Sequence, residues 1–255
     1  WSSGIPLLLA ALLALAVGAG LGLINGVLVA VFNLPALAVT LGTLAAYRGL
    51  AFVILTTEGV TGFPDTFTRI GFGYVGSTGI PVAVIVLAAF GLLFTLVLHF
   101  TRFGRQLYII GSNREVARFS GVPVRRIRMT TFVISGVMAA FAGLIYAGFF
   151  NTVRADVASE DLLDVITAVV LGGVDIFGGS GSILGVLLSL VLIAVVRKGM
   201  ALANISSPVQ GMIIGLLLLV AILLGNFIRQ RVQQRAGSRT RQPKTHDASS
   251  KPVAT

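Results

Sequence analysis

Apolar runs long enough to cross a bilayer recur along most of this 255-residue chain: Ile5 to Phe32, Leu34 to Thr57, Ile80 to Phe100, Met129 to Phe150 and Val209 to Phe227. A lipid core about 30 Å thick needs about 20 apolar residues in a helix that rises about 1.5 Å per residue, so each run is close to one membrane pass. Only 11% of the residues are charged, where a soluble domain carries about a quarter because its surface must face water. Most of this surface must therefore face lipid or other apolar helices. The expected fold is all-α, a polytopic transmembrane helical bundle.

Local signals divide the runs. Asn33 and Pro35 separate the first two, because proline disfavours helical geometry in the residue before it. Glu58 to Gly79, rich in Gly, Thr and aromatics around Phe63-Pro64-Asp65, reads as a loop. Ser135, Gly136, Ala139, Ala140 and Gly143 put small residues on the fourth span, where they let helix backbones approach closely. Beyond it the pattern is irregular. Val165 to Leu171 is apolar but short, a glycine-rich stretch from Gly172 to Ser182 interrupts it, Ile183 to Val196 resumes, and Arg197-Lys198 intervenes before the last span. About seven spans or re-entrant segments are expected.

Charge orders these passes. The net charge is +10, and the cations are grouped. Arg102, Arg105, Arg114, Arg118, Arg125, Arg126 and Arg128 are opposed only by Glu115, and Arg229, Arg231, Arg235, Arg239, Arg241, Lys244 and Lys251 only by Asp247. Asp156, Glu160, Asp161 and Asp164 cluster elsewhere with Arg154. Basic loops stay on the cytoplasmic side, so the pattern speaks for a multi-pass membrane protein with a cytoplasmic C-terminus, and against nucleic acid as a partner. With the 101–128 loop and the tail both cytoplasmic, three passes must separate the acidic loop from the tail. The glycine-rich stretch then lies near the cytoplasmic side, and non-helical backbone is tolerated there only where it is buried in protein or lines water. Residues 1–228 form the membrane domain; 229–255, basic and poor in apolar residues, are expected to be a disordered tail.

Little here suggests covalent chemistry. The chain has no cysteine, and its two histidines, His99 and His246, are too far apart for a metal-ligand motif. The late glycines are followed by no Gly-Lys-Ser/Thr and preceded by no strand, so the context of a nucleotide-phosphate loop is missing. No cofactor or metal is expected, and any ATP must be bound by another polypeptide.

The segment Thr101 to Arg128 keeps helical character in Asn113 to Phe119, which Gly121 and Pro123 stop. A short helix between two spans is a lever that a soluble partner can push. The residues Thr101-Arg102-Phe103-Gly104-Arg105, Tyr108, Gly111, Asn113, Ala117, Ser120-Gly121-Val122 and Val124 resemble the coupling loop of sugar-type permeases, the membrane subunits of the ribose, xylose, rhamnose and autoinducer-2 ATP-binding-cassette importers. Two further blocks match in order. Asn25-Gly26, Pro35, Thr40-Leu41-Gly42-Thr43 and Arg48-Gly49 resemble the family's central helices, and Asp164, Ile166, Ala168 to Gly173 and Gly178 to Ser182 its late glycine motif. Val116 stands where the family often has alanine and Asp175 where serine or threonine is commoner; the family's early motif is absent, so the chain is expected to lack the first helices.

The resemblance implies a cytoplasmic ATPase, a periplasmic or extracellular sugar-binding protein and a second permease subunit, alike or different, as partners within the lipid bilayer. It implies coupling to the ATPase through Arg105, Asn113, Val116, Ala117, Phe119, Gly121 and Val122, a translocation path touching Asn25, Thr40, Thr43 and Arg48, and structural roles for Gly172, Gly173, Gly178, Gly179 and Gly181. Arg48 either snorkels to the interface or lines the path. Asp164 and Asp175 lie near span ends, where capping a helix or pairing with a nearby cation is the expected role. An ion-coupled secondary transporter would suit broken helices, but no inverted repeat is visible and the large basic loop has no role there; a passive membrane subunit is the other alternative. The solute is expected to be a small neutral sugar, rhamnose-like or autoinducer-2-like, since a path so poor in charge offers little to an ion.

Overall fold

The computed structural model describes residues 6–239 except 56–58, 65–66, 69–72, 74–78, 80, 159–160 and 177. Glu58, Asp65, Glu160, Phe177 and the tail beyond residue 239, each part of the sequence reading, lie outside the described residues. The long apolar runs are helices: α1 Leu7–Ala30, α2 Ala36–Leu55, α3 Val82–Phe100, α4 Arg102–Ser112, α5 Arg114–Phe119, α6 Val124–Phe150, α7 Asp161–Leu171, α8 Ile183–Leu202 and α9 Ser207–Arg239. α1, α2, α3, α6 and α8 are long and apolar enough to cross a membrane. With the shorter α7 and the apolar first part of α9, seven helices among the described residues form the bundle, as expected.

Asn33 takes a left-handed conformation (φ 55°) between α1 and α2, so the chain turns where asparagine and proline mark the break. Three boundaries differ from the sequence reading. α6 begins at Val124, not Met129, because Pro123 supplies the stop and the arginines that follow are good helix formers. Arg197-Lys198 does not interrupt a span: α8 runs through both, since Arg197 is paired with Asp164 (Nη2 to Oδ1 2.6 Å). α9 continues to Arg239, so the first part of the basic tail is helical rather than disordered.

Packing is tightest between α1 and α6. Gly18, Gly22 and Gly26, one turn apart along α1, lie against Phe132, Gly136, Ala140 and Met129 of α6. A β-carbon on Gly18 would sit 2.5 Å from that of Ala140. The small residues read on α6 thus meet a matching glycine ladder on α1, which brings two backbones together in lipid, where van der Waals contact replaces the hydrophobic effect.

The second unit is an antiparallel hairpin of α7 and α8 with α9 beside it. Ala168, Ile193, Met200 and Ile214 are buried together at its centre. α7 has 11 residues, about 16 Å of helix, too short for a full pass. The glycine-rich turn after it packs on α4 and on the start of α8.

Both units share two faces. On one lie the α1–α2 turn, α4, α5, the start of α6 and the glycine turn; on the other, the α2 and α6 C-termini and the start of α7. On this second face a two-residue ladder, absent from the all-α expectation, pairs β1 (Val60–Thr61) with β2 (Thr152–Val153) antiparallel. Asn151, left-handed at the α6 C-terminus (φ 51°), fixes it further by accepting from the Phe63 amide at 3.0 Å. Large apolar side chains such as Leu8, Leu37, Val53, Leu188 and Leu223 are exposed along the spans, as faces meant for lipid or another helix require.

Candidate coupling and translocation site

The basic connection between α3 and α6 is two helices joined at a corner. Thr101 caps α4, its Oγ1 accepting from the Gly104 amide at 3.3 Å. Asn113 serves both helices. Its amide donates to Ile109 O at 3.0 Å, closing α4, and its Oδ1 accepts from the Glu115 and Val116 amides at 3.0 and 3.1 Å, opening α5. Asparagine is among the best N-caps, satisfying amides that have no partner in the first turn. Glu115 in the first turn and Arg118 in the last complement the helix dipole. At the other end Gly121 (φ 75°) lets the Val122 amide reach back to Ala117 O at 3.1 Å, a Schellman closure. Six residues of helix, too few to be stable alone, are thus held from both ends.

Of its side chains, Ala117 is fully buried, while Val116 is 54% and Phe119 92% exposed. Arg114 ties the helix to the α1–α2 turn by donating to Asn33 Oδ1 at 2.7 Å. Arg105 is exposed on α4. Arg114, Arg118, Arg125 and Arg126 line a cavity of about 490 Å³ beside Val122.

Sequence reasoning missed α4 as a helix, and α4 holds the glycine turn. Gly178 and Gly179 have φ of 95° and 84°, which only glycine adopts without strain. They lie directly on Gly111 and Ser112 of α4: a β-carbon on Gly179 would be 2.8 Å from the Ser112 nitrogen. The Tyr108 hydroxyl donates to Gly181 O at 3.1 Å. The turn closes on itself through Asp175 N to Ser180 O and Gly178 N to Asp175 O, both 3.0 Å, so Asp175 sits in the turn. Gly172 lies against Gly185 and Val186, with a β-carbon there 2.6 Å from the Val186 nitrogen, and Gly173 is left-handed at 81°. At Gly181 the three atoms nearest an added β-carbon all belong to Val174, at 3.0 to 3.4 Å.

Between α1, α2 and α6 runs a cavity of about 370 Å³ lined by Ala14, Gly18, Asn25, Thr40, Tyr47, Phe132 and Ser135, among others. A second of about 370 Å³ continues it past Ala14 and Ala140 toward the β1–β2 end, where Phe63, Phe67 and Val153 close it. Asn25 and Thr40 of the four path candidates therefore share one space. Thr43 and Arg48 do not line it. The Thr43 hydroxyl bonds Val39 O at 3.0 Å, within its own helix, and Arg48 is exposed with its guanidinium 5.9 Å from the Phe52 ring centre. Its charge is felt by Asp156, whose carboxyl is held below its ordinary value chiefly by the hydrogen bond from Arg154. Asp164 is the paired span-end group that its position predicts, in an ion pair with Arg197 across the α7–α8 hairpin.

Comparisons place the chain. A family model described as the permease component of branched-chain amino acid transport systems matches residues 1–222. Proteins named autoinducer 2 import system permease protein LsrD, from Escherichia coli K12, Shigella flexneri and Escherichia coli O157:H7, are each 34% identical over 95% of this chain and 76% of their own length. No solved structure matches.

Proposed function

This chain belongs to the family of transport-system permease components, and from that premise we propose that it carries a small neutral hydroxylated solute, autoinducer-2-like or sugar-like, across the inner membrane in an ATP-driven importer. It is a multi-pass membrane transport subunit rather than an enzyme, and ATP hydrolysis belongs to a partner. Residues 1–228 act as the membrane domain and 229–255 as a cytoplasmic extension. The solute arrives from a binding protein at the β1–β2 face, and a second permease subunit covers the exposed apolar faces.

The observation that carries the coupling is the placement of Phe119. It stands almost wholly exposed on a helix capped at both ends, whereas burying such a side chain is worth about 1.5–3 kcal/mol. A groove on an ATPase that takes Phe119 and Val116 realises that gain, as amphipathic helices do through anchors three or four residues apart. Asn113, Gly121 and Val122 hold the helix, Ala117 packs it down, and Arg105 adds charge beside it. The glycine turn then receives the push through Gly111 and passes it to the α7–α8 hairpin.

A neutral solute is favoured over an amino acid by the α1–α2–α6 cavity, whose lining holds no Lys, Arg, Asp or Glu. A zwitterion taken from water into such a space leaves both charges unpaired. Reconstitution with an ATPase and a binding protein tests the reading: uptake of labelled autoinducer-2 that needs ATP supports it, and gradient-driven uptake without the ATPase overturns it.

The orientation has its own test. The chain has no cysteine, so Ser120→Cys and Ala158→Cys each place one thiol. In intact cells Ala158→Cys is expected to react with a membrane-impermeant thiol reagent and Ser120→Cys to be shielded, on the contrast between the arginine-rich and acidic loops. The reverse pattern inverts the topology.

A further inference from the structure

We propose that the side-chain carbonyl oxygen of Asn25 is a recognition point inside the membrane, accepting a hydrogen bond from a hydroxyl of the solute as it passes between α1, α2 and α6. The inference rests on the importer reading above and narrows the contact to one atom.

Asn25 Oδ1 is enclosed and has no hydrogen-bond partner, and buried acceptors left in that state are few in native proteins. Two of the hydroxyls that share this lining are engaged, and the Ser135 hydroxyl of α6 is a further polar group in it. The Thr40 hydroxyl donates to Ala36 O at 2.9 Å, and the Tyr47 hydroxyl to Leu21 O at 3.3 Å. Asn25 is also held in place. It stands between Gly22 and Gly26, whose backbones are pressed against Phe132 and Met129 of α6, so its backbone is fixed where α1 meets α6.

The chemistry of the missing donor follows from the walls. With no carboxylate lining the cavity, an ammonium donor would enter without a counter-charge. A hydroxyl donates without one. The space, about 370 Å³, falls in the range of small-molecule sites, about 300–1,000 Å³. A polyol or sugar-sized solute satisfies both conditions, and its other hydroxyls can keep water as the path opens.

The test uses the full importer in proteoliposomes with labelled autoinducer-2 as probe, reading uptake and ATP hydrolysis stimulated by the loaded binding protein. Asn25→Val is apolar and removes the acceptor; its uptake should fall about tenfold, the worth of one lost hydrogen bond, while stimulated hydrolysis persists. Asn25→Thr has the shape of valine and keeps a neutral oxygen acceptor there, and its uptake should stay within about threefold of wild type. Thr95→Val, on α3 away from the cavity, removes a hydroxyl that is spent on Gly91 O of its own helix at 2.7 Å and should stay within about twofold. Thermal midpoints check the fold, and where the valine variant is lost to misfolding, Asn25→Ala against Asn25→Ser takes the place of the pair. Undiminished uptake in a folded Asn25→Val, or equal loss in the valine and threonine variants, overturns the assignment and points to a structural water on Oδ1. Absence of ATP-driven uptake by the wild-type assembly overturns the importer reading, and this inference with it.

Discussion

Leucine at Gly111 or at Gly179 is expected to abolish ATP-driven uptake and to cut the yield of folded protein in the membrane. The two residues meet backbone to backbone, where α4 crosses the glycine turn. A side chain on either must occupy the space of the other's main chain, and main chain cannot rotate away as a side-chain tip can. Overpacking of this kind costs about 1–3 kcal/mol. Gly179, with φ at 84°, adds the left-handed penalty of a β-carbon, about 1–2 kcal/mol. The sum is a large part of the margin by which proteins stay folded. Gly20→Ala and Gly143→Ala serve as controls, since nothing lies within 4 Å of a β-carbon at either position. Gly181→Ala should fall between, because Val174 need give only a little. The measurement is detergent-extracted yield with thermal midpoint, followed by uptake. Wild-type yield and uptake in both leucine variants would show that the turn does not rest on α4 in the working protein.

The contact matters because it joins two parts that the sequence shows separately. The apolar runs announce the spans, since twenty apolar residues have no other stable home. The turn at Asn33, the cap at Asn113 and the closure at Gly121 are legible for the same local reason. α4 is hidden because Arg102, Arg105 and Gln106 alternate with Phe103, Leu107 and Ile110 around two glycines, a pattern that reads as a polar loop unless its helical face is known. α8 looks broken at Arg197 because the ion pair that keeps the helix whole comes from Asp164, on another helix. The glycine ladder Gly18, Gly22, Gly26 was available as an i, i+4 pattern, and it pairs with the small residues that were read on α6. For the path, polarity alone offered Asn25, Thr40, Thr43 and Arg48 equally. Only the fold separates Thr43, satisfied within its helix, and Arg48, exposed beside Phe52, from the two residues that share a cavity.

Phe119→Ala is expected to lower ATPase association at least about thirtyfold, the scale of an interface hot spot near 2 kcal/mol, and to reduce uptake in proportion, with the membrane fold unchanged. The fold should not respond because Phe119 gives it almost nothing: the side chain is 92% exposed, and α5 is held by the Asn113 cap, the Gly121 closure and the buried Ala117. Val116→Ala, 54% exposed on the same turn, should act in the same direction and less strongly, since it removes fewer atoms from the same groove. Asn113→Ala should differ in kind. Loss of the cap costs about 1 kcal/mol locally, frays α5, and weakens association without removing an anchor, so a conservative Asn113→Asp or Asn113→Ser should restore it. Were the segment only a basic loop that sets orientation, its arginines would carry its whole effect and Phe119 could be cut back at no cost. Co-purification of the ATPase with each variant, beside thermal midpoint and uptake, separates the two. Undiminished association and uptake in Phe119→Ala would remove docking through this side chain, and loss of both with an unchanged midpoint would establish it.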